Sequence, residues 1–252
     1  MNSTTPLRKS LQLKDGGVIS VVGAGGKTAI MLRLARELSN KKENVLATTT
    51  TRILRPPKRF GGEFILSSSA DDILKKSKYF LKSNHQIAAA SYFVSRTQNK
   101  VAGFSPETID RFHASGVFQW IIVEADGAAQ RPLKAPAAHE PVIPSRSSLV
   151  IGVVGLDSVG KTLSEKNVFR PELFSKITGI PLGSRVTAES IAKAAIHKNG
   201  VMKGSPEGAK QILFLNKADI PKGKAHARNI LKSIKKFGPG AIEKIIVGMA
   251  RR

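Results

Sequence analysis

The chain has 252 residues, 41% of them hydrophobic, and sets 41 Lys and Arg against 18 Asp and Glu, a formal net charge of +23; this suffices for one large α/β domain or two small ones and implies polyanionic company such as nucleotides, nucleic acid or an acidic protein partner. The absence of Cys excludes a disulfide framework, a thiolate nucleophile and a Cys-ligated metal, and no N-terminal signal core or membrane-length apolar run is present, so the expectation is a soluble cytoplasmic protein. Only 11 Phe, 2 Tyr and 1 Trp are available to stack bases, so the dispersed cations favour a generally positive surface over a nucleic-acid groove.

Short runs rich in Val and Ile alternate with helical patterns. After a stretch expected to be flexible (1–14), GVISVV (17–22) is an apolar run bounded by Gly, as a buried parallel strand should be. AIMLRLARELSNK (29–41) sets Ile30, Leu34 and Leu38 on one helical face and turns Arg33 and Glu37 away. NVLATTTT (44–51) predicts a strand by its β-branched content, ADDILKKSKYFLKS (70–83) a helix and HQIAAASYF (85–93) a strand. SPETIDRFHASG (105–116) opens a helix with Ser105 as N-cap and Pro106 at the first position, and stops at Gly116.

FQWIIVEADG (118–127) and SLVIGVVG (148–155) predict strands, and PELFSKITGI (171–180) a helix. TAESIAKAAIHKNG (187–200) predicts another, capped by Thr187 with Glu189 in its first turn. A strand at QILFLNKAD (211–219), a helix at AHARNILKSIKKFG (225–238) and a strand at EKIIVG (243–248) complete the series. The alternation argues for an α/β fold, a mostly parallel sheet with helices on both faces, forming a single domain over 1–252. The PPKRFGG loop (56–62) and the Pro-rich stretch 132–144 are its excursions.

Two glycine loops compete for a nucleotide. GLDSVGKT (155–162) matches G-x-x-x-x-G-K-[ST] letter for letter, whereas GAGGKT (23–28) has Val21 where the first Gly should stand. A phosphate loop needs a strand before it and a helix directly after it. Backbone N–H groups and the positive end of that helix then meet the phosphates, Lys reaches the terminal ones, and the next hydroxyl ligates Mg²⁺. GAGGKT has both flanks. Behind GLDSVGKT, LSEKNVFR carries no clean apolar stripe and Pro171 restarts the chain. The imperfect match is the expected site, with Gly23, Ala24, Gly25, Gly26, Lys27 and Thr28 around the phosphates.

Three further pieces suit a nucleotide site. WIIVEADG ends in Glu124 and Asp126, and acids at the carboxyl end of such a strand can hold Mg²⁺ with Thr28 or orient water. Asn216, Lys217 and Asp219 form N-K-x-D at a strand end, resembling the arrangement by which GTPases read guanine: a carboxylate accepts from N1–H and the exocyclic amine, which adenine cannot match. In TTTTRI (48–53), Thr49, Thr50 and Arg52 either contact Mg²⁺ or phosphate or pack as strand residues.

VVGAGGKT, TTTTRI, VEADGAAQRPLKAPAAHEPVIP, GVVGLD, NVFRPE and FLNKAD together resemble the YqeC-like proteins, named as accessory proteins of selenium-dependent molybdenum hydroxylases. The resemblance runs roughly from residue 15 to 248 and is most specific over 124–144. It implies a P-loop NTPase fold and a role in maturing a selenium- and molybdenum-containing cofactor, with a molybdenum hydroxylase or a maturation protein as partner. It also implies nucleotide contacts at Gly23, Gly25, Gly26, Lys27 and Thr28 and acidic-strand roles for Glu124 and Asp126. E-x-x-G at Glu124–Gly127 looks like the acidic motif of GTPases that help insert metals, and G-x-x-G-K-T like the loop of the Mur ligases.

In the stiff loop after the acidic strand, Arg131 and Lys134 are either cations that face an anionic substrate or the γ-phosphate, or solvated residues of a structural loop. His139 reads as a loop histidine, and Asp157 as a neighbour of the same rim. The resulting expectation is a Mg²⁺-dependent P-loop NTPase, GTP favoured over ATP, coupled to cofactor maturation. A kinase or Mur-like ligase acting on a small acceptor and a basic nucleic-acid-binding protein are the alternatives.

Overall fold

The computed structural model describes residues 5–57 and 60–250. Residues 1–4 of the expected flexible start, and Lys58 and Arg59 of the PPKRFGG loop, lie outside the described residues. Where one domain is expected, contacts divide the chain into two compact units that interleave along the sequence: Met1–Ser20, Thr28–Ala125 and Val142–Ser148 form the first, and Val21–Lys27, Asp126–Pro141 and Leu149–Arg252 the second.

The first unit starts with a helical turn, α1 (Leu7–Ser10), where flexibility is expected. Leu7 and Leu11 are buried, the Arg8 N–H donates to Glu37 Oε2 at 2.9 Å, and the Arg8 guanidinium pairs with Glu43 at 3.1 Å. These contacts also explain why Arg33 and Glu37, expected to face solvent, are only partly exposed and pair at 2.8 Å. β1 (Gly17–Gly23) leads into α2 (Lys27–Ser39), which begins two residues before the apolar pattern and buries Ile30, Leu34 and Leu38.

β2 (Val45–Thr49) is followed by β3 (Arg52–Leu54), β4 (Glu63–Leu66), α3 (Ala70–Phe80), β5 (Gln86–Ala90), β6 (Tyr92–Ser95), β7 (Lys100–Ala102), α4 (Pro106–Ala114) and β8 (Trp120–Glu124). Ser69 and Ser105 cap α3 and α4 as polar residues should, and Ile109 and Phe112 of α4 are buried. β2 runs parallel to β8 from Val45↔Trp120 to Thr49↔Glu124 and parallel to β5, which in turn pairs with β4. The run 85–93, expected as one strand, divides after Ala90. Its continuation, β6, joins β7 and β3 in a small antiparallel sheet of order β3-β7-β6.

The second unit contains β9 (Leu133–Lys134), most of β10 (Ser147–Gly155), a 3₁₀ turn (Leu156–Ser158), β11 (Val168–Phe169), α5 (Pro171–Thr178), α6 (Ala188–Ile196), β12 (Lys210–Asn216), α7 (Gly223–Phe237) and β13 (Lys244–Val247). β10, β12 and β13 pair in parallel. α6 carries a capping box, Thr187 with Ser190, and packs against both α5 and α7. The main sheet has eight strands in the order β13-β12-β10-β1-β8-β2-β5-β4 and is flanked by helices, the α/β arrangement expected of a three-layer P-loop NTPase-like fold. Among the described residues no helix is long and apolar enough to cross a membrane.

Candidate functional site

GAGGKT forms the turn from β1 into α2. Within the second unit its first half is pinned to protein acceptors. The N–H of Gly23 donates to Asp126 Oδ2 at 3.0 Å, that of Ala24 to the Val153 carbonyl at 2.9 Å, and that of Gly25 to the Arg131 carbonyl at 3.2 Å. The amides left to meet an anion therefore begin at Gly26, at the entry to a helix whose first N–H groups have no intrahelical acceptor. Asn216, at the end of β12, donates from Nδ2 to the Gly25 carbonyl at 2.7 Å and accepts at Oδ1 from the Ala250 N–H at 2.8 Å. Gly26 has φ +125°, and a Cβ there would lie 2.3 Å from Asn216 Nδ2, so only glycine fits.

Lys27 is 4% exposed, and its ammonium donates to the Gly23 carbonyl at 2.8 Å and lies 3.2 Å from Asp126 Oδ1. That second contact is unaligned for a hydrogen bond, a charge contact rather than a directed bond. Asp126 is fully buried and meets a second ammonium, Lys134, at 3.0 Å from Oδ2. Lys134, expected to face a substrate or to be solvated, is buried. It also donates to the Gly127 carbonyl at 2.5 Å and to Glu140 Oε2 at 2.8 Å.

Glu140 in turn accepts from both guanidinium nitrogens of Arg170, the N-cap of α5. Burial works against the Glu140 carboxylate, but the hydrogen bonds from Arg170 and Lys134 outweigh it and hold its pKa at about 2, down from 4.5. Neither Glu140 nor Arg170 is among the site residues the sequence predicts, although both lie in stretches that carry the resemblance, the 124–144 block and NVFRPE, 30 residues apart.

Arg131 donates from Nε to the Glu165 carbonyl at 2.6 Å and from one terminal nitrogen to the Ala129 carbonyl at 3.2 Å, so its guanidinium braces the loop. His139 is exposed. Lys217 sits at φ +66° and pairs with Asp157 at 2.6 Å, while Asp219 stands exposed beyond β12. The second glycine loop takes another shape. After the 3₁₀ turn, Gly160 donates to Val186, Val186 donates to Lys161, and Thr162 bridges Arg185; no helix follows until α5, and Lys161 is exposed. Its perfect match to the phosphate-loop pattern is thus not accompanied by phosphate-loop geometry.

In the first unit, the Thr28 hydroxyl donates to Glu124 Oε2 at 2.6 Å. The Glu124 carbonyl accepts from the Thr49 hydroxyl at 2.7 Å and from the Thr50 N–H at 3.2 Å. The Thr50 hydroxyl is committed to the Val142 carbonyl at 2.6 Å, and Arg52 is exposed on β3. Thr49 and Thr50 therefore tie the carboxyl ends of β2 and β8 together, as strand-packing residues do.

Among the described residues no group of three or more His, Cys, Asp or Glu is arranged to hold a metal. The hydroxyl and carboxylate of Thr28 and Glu124 are hard oxygen donors that suit Mg²⁺. Asp126, expected as a metal ligand too, already faces two ammonium groups and an amide, which suits ion pairing instead.

The family model described as YqeC protein matches residues 19–172, which include Gly23–Thr28, Glu124, Asp126, Lys134, Glu140 and Arg170. The Escherichia coli (strain K12) protein called "Uncharacterized protein YqeC" is 34% identical over 200 residues, covering 79% of this chain and 75% of that protein.

Proposed function

The chain belongs to the YqeC family, and from that premise we propose that it is a Mg²⁺-dependent nucleoside triphosphatase, with the phosphates of its nucleotide at Gly26, Lys27 and Thr28 of the GAGGKT loop and GTP favoured over ATP. Its hydrolysis serves the maturation of a selenium- and molybdenum-containing cofactor for hydroxylases, a role suggested by the family resemblance.

The observation that carries the nucleotide reading is Lys27. A lysine buried beside a glycine loop, its ammonium within reach of the Gly23 carbonyl and the Asp126 carboxylate, is placed to meet phosphate oxygens entering that loop. Its departure would not strand Asp126, because Lys134 and the Gly23 N–H still compensate that charge. Lys134 is thus a partner of Asp126 in this reading, not a phosphate ligand. Thr28, the next residue in the chain, and Glu124, whose carboxylate accepts from its hydroxyl at 2.6 Å, would hold Mg²⁺, which when bound would neutralise charge on the phosphate oxygens. Asn216 braces Gly25, and the exposed Asp219 carboxylate accepts from the guanine N1–H and exocyclic amine.

Calorimetric titration with GTP and ATP, each with and without Mg²⁺, tests the reading. Binding should require Lys27, and unchanged affinity in Lys27→Ala would end it. Release of free phosphate without an acceptor separates a triphosphatase from a kinase or ligase. For the cofactor role, cells lacking the chain should lose selenium-dependent hydroxylase activity while keeping the hydroxylase polypeptide; retained activity would remove that part.

A further inference from the structure

Among the described residues, three of the six large apolar side chains that stand out into solvent share one small sheet of the first unit: Leu54 is 51% exposed, Tyr92 53% and Val94 37%. The register puts them on a single face. Arg52, Ala102 and Tyr92 lie in one row across β3, β7 and β6, while Leu54 pairs with Lys100 in the row two residues along. Side chains alternate along a strand, so Ile53, Val101 and Phe93 form the opposite face, where Ile53 and Val101 are buried. A bulge between Phe93 and Ser95 falls at Val94, on the exposed side.

The charge on this sheet has one sign. Arg52, Arg55, Arg96 and Lys100 belong to it or flank it, and no Asp or Glu occurs from Thr50 to Gly62 or from Ser91 to Pro106. Lone exposed apolar residues need no explanation, but an aromatic and two aliphatics grouped beside Arg52 and Lys100 do, while Arg55 and Arg96 lie over the Phe64 and Phe93 rings at 4.3 and 5.4 Å. Tyr and Arg are also the residue types that carry binding energy in protein interfaces.

We propose that this face docks a partner protein whose contact surface is apolar at its centre and rimmed with Asp and Glu. A single-stranded nucleic acid fits less well, since Leu54 and Val94 offer no plane for a base and Tyr92 is the one exposed aromatic of the face. A second copy of the chain fits less well still, because it would bring two such cationic faces together in a molecule already at +23. The surface stands on its own observations and does not depend on nucleotide binding.

The test uses the full-length chain as bait for a phage-displayed library of random peptides. The bait is wild type, Arg52→Glu/Tyr92→Glu, Leu54→Ser, or the control Lys235→Glu/Lys236→Glu on α7, which removes at least as much positive charge from exposed positions. The expected peptides combine Asp or Glu with aromatic or aliphatic residues. Their affinity should fall by about tenfold or more in Arg52→Glu/Tyr92→Glu, as loss of two anchors requires, should fall in the uncharged Leu54→Ser, and should be little changed in the control. Thermal melts verify that each bait is folded, and Leu54→Ser alone decides if the double variant is not.

Any of the following overturns the proposal: no enriched peptides; peptides without acids; equal losses in the patch variants and the control; or oligothymidine, rather than peptide, lost from the patch variants. A wild-type dimer in sedimentation that Arg52→Glu/Tyr92→Glu dissociates overturns it in favour of self-association.

Discussion

Replacing Lys134 with Met tests whether the buried charge chain holds the second unit together. The ammonium has three partners, Asp126 at 3.0 Å, Glu140 at 2.8 Å and the Gly127 carbonyl at 2.5 Å, and its side chain is fully buried. Removing one member of a buried ion pair costs about 3–5 kcal/mol, because the remaining charge is uncompensated. Here Asp126 keeps Lys27 and the Gly23 N–H, and Glu140 keeps Arg170, so the lower end, about 3 kcal/mol, is expected. For a chain of this size that lowers the melting temperature by roughly 6–12 °C.

Circular dichroism melts of wild type, Lys134→Met, Glu140→Gln and the double variant measure both the loss and the coupling. The double variant should be less destabilised than the sum of the singles, by on the order of 1–3 kcal/mol, since the introduced thioether then faces a neutral amide. A Lys134→Met protein that melts within about 2 °C of wild type would refute the reasoning and mean that the network's attractions merely match its desolvation.

Acid should probe the same chain. Glu140 titrates at about 2 when folded against an ordinary 4.5. Its contribution is therefore complete above the higher value and lost as pH falls through the lower one, amounting to at most roughly 3 kcal/mol and less where solvent reaches the carboxyl. Glu140→Gln should flatten the decline of unfolding free energy over that interval, and a slope identical to wild type would count against it. Gly26→Ala forces a side chain into φ +125° and onto Asn216 Nδ2, so it should cost about 1–3 kcal/mol in a denaturant melt and weaken nucleotide binding in the same calorimetry. Asn216→Ala leaves the Gly25 carbonyl and the Ala250 N–H without the Asn216 side chain and should destabilise by more, about 1–3 kcal/mol per orphaned group. Lys161→Ala should leave nucleotide affinity unchanged; a loss there, with Lys27→Ala intact, would move the site to the second loop.

Local patterns were enough for most elements. Apolar runs mark β1, β8, β10 and β12, the first of them bounded by Gly, and polar caps at Ser105 and Thr187 mark α4 and α6. Those signals arise from residues near one another in the chain, so periodicity and capping chemistry reveal them. The preference for GAGGKT over GLDSVGKT was equally local, resting on whether a helix follows. α1 and the small antiparallel sheet escaped because their order depends on distant partners: Glu37 and Glu43 for Arg8, and the ladder with Lys100–Ala102 for Arg52–Leu54.

The sequence by itself determined the alternation of strand and helix, the glycine loop with Lys27, and the acids that close β8. Only the tertiary structure decided that Asp126 is claimed by two lysines, that Lys134 is buried rather than solvated, and that Glu140 and Arg170 complete its chain. The physical reason is burial: a charge removed from water must find an opposite charge within a few ångströms, and where that charge lies along the chain is a matter of packing, which no spacing of letters encodes.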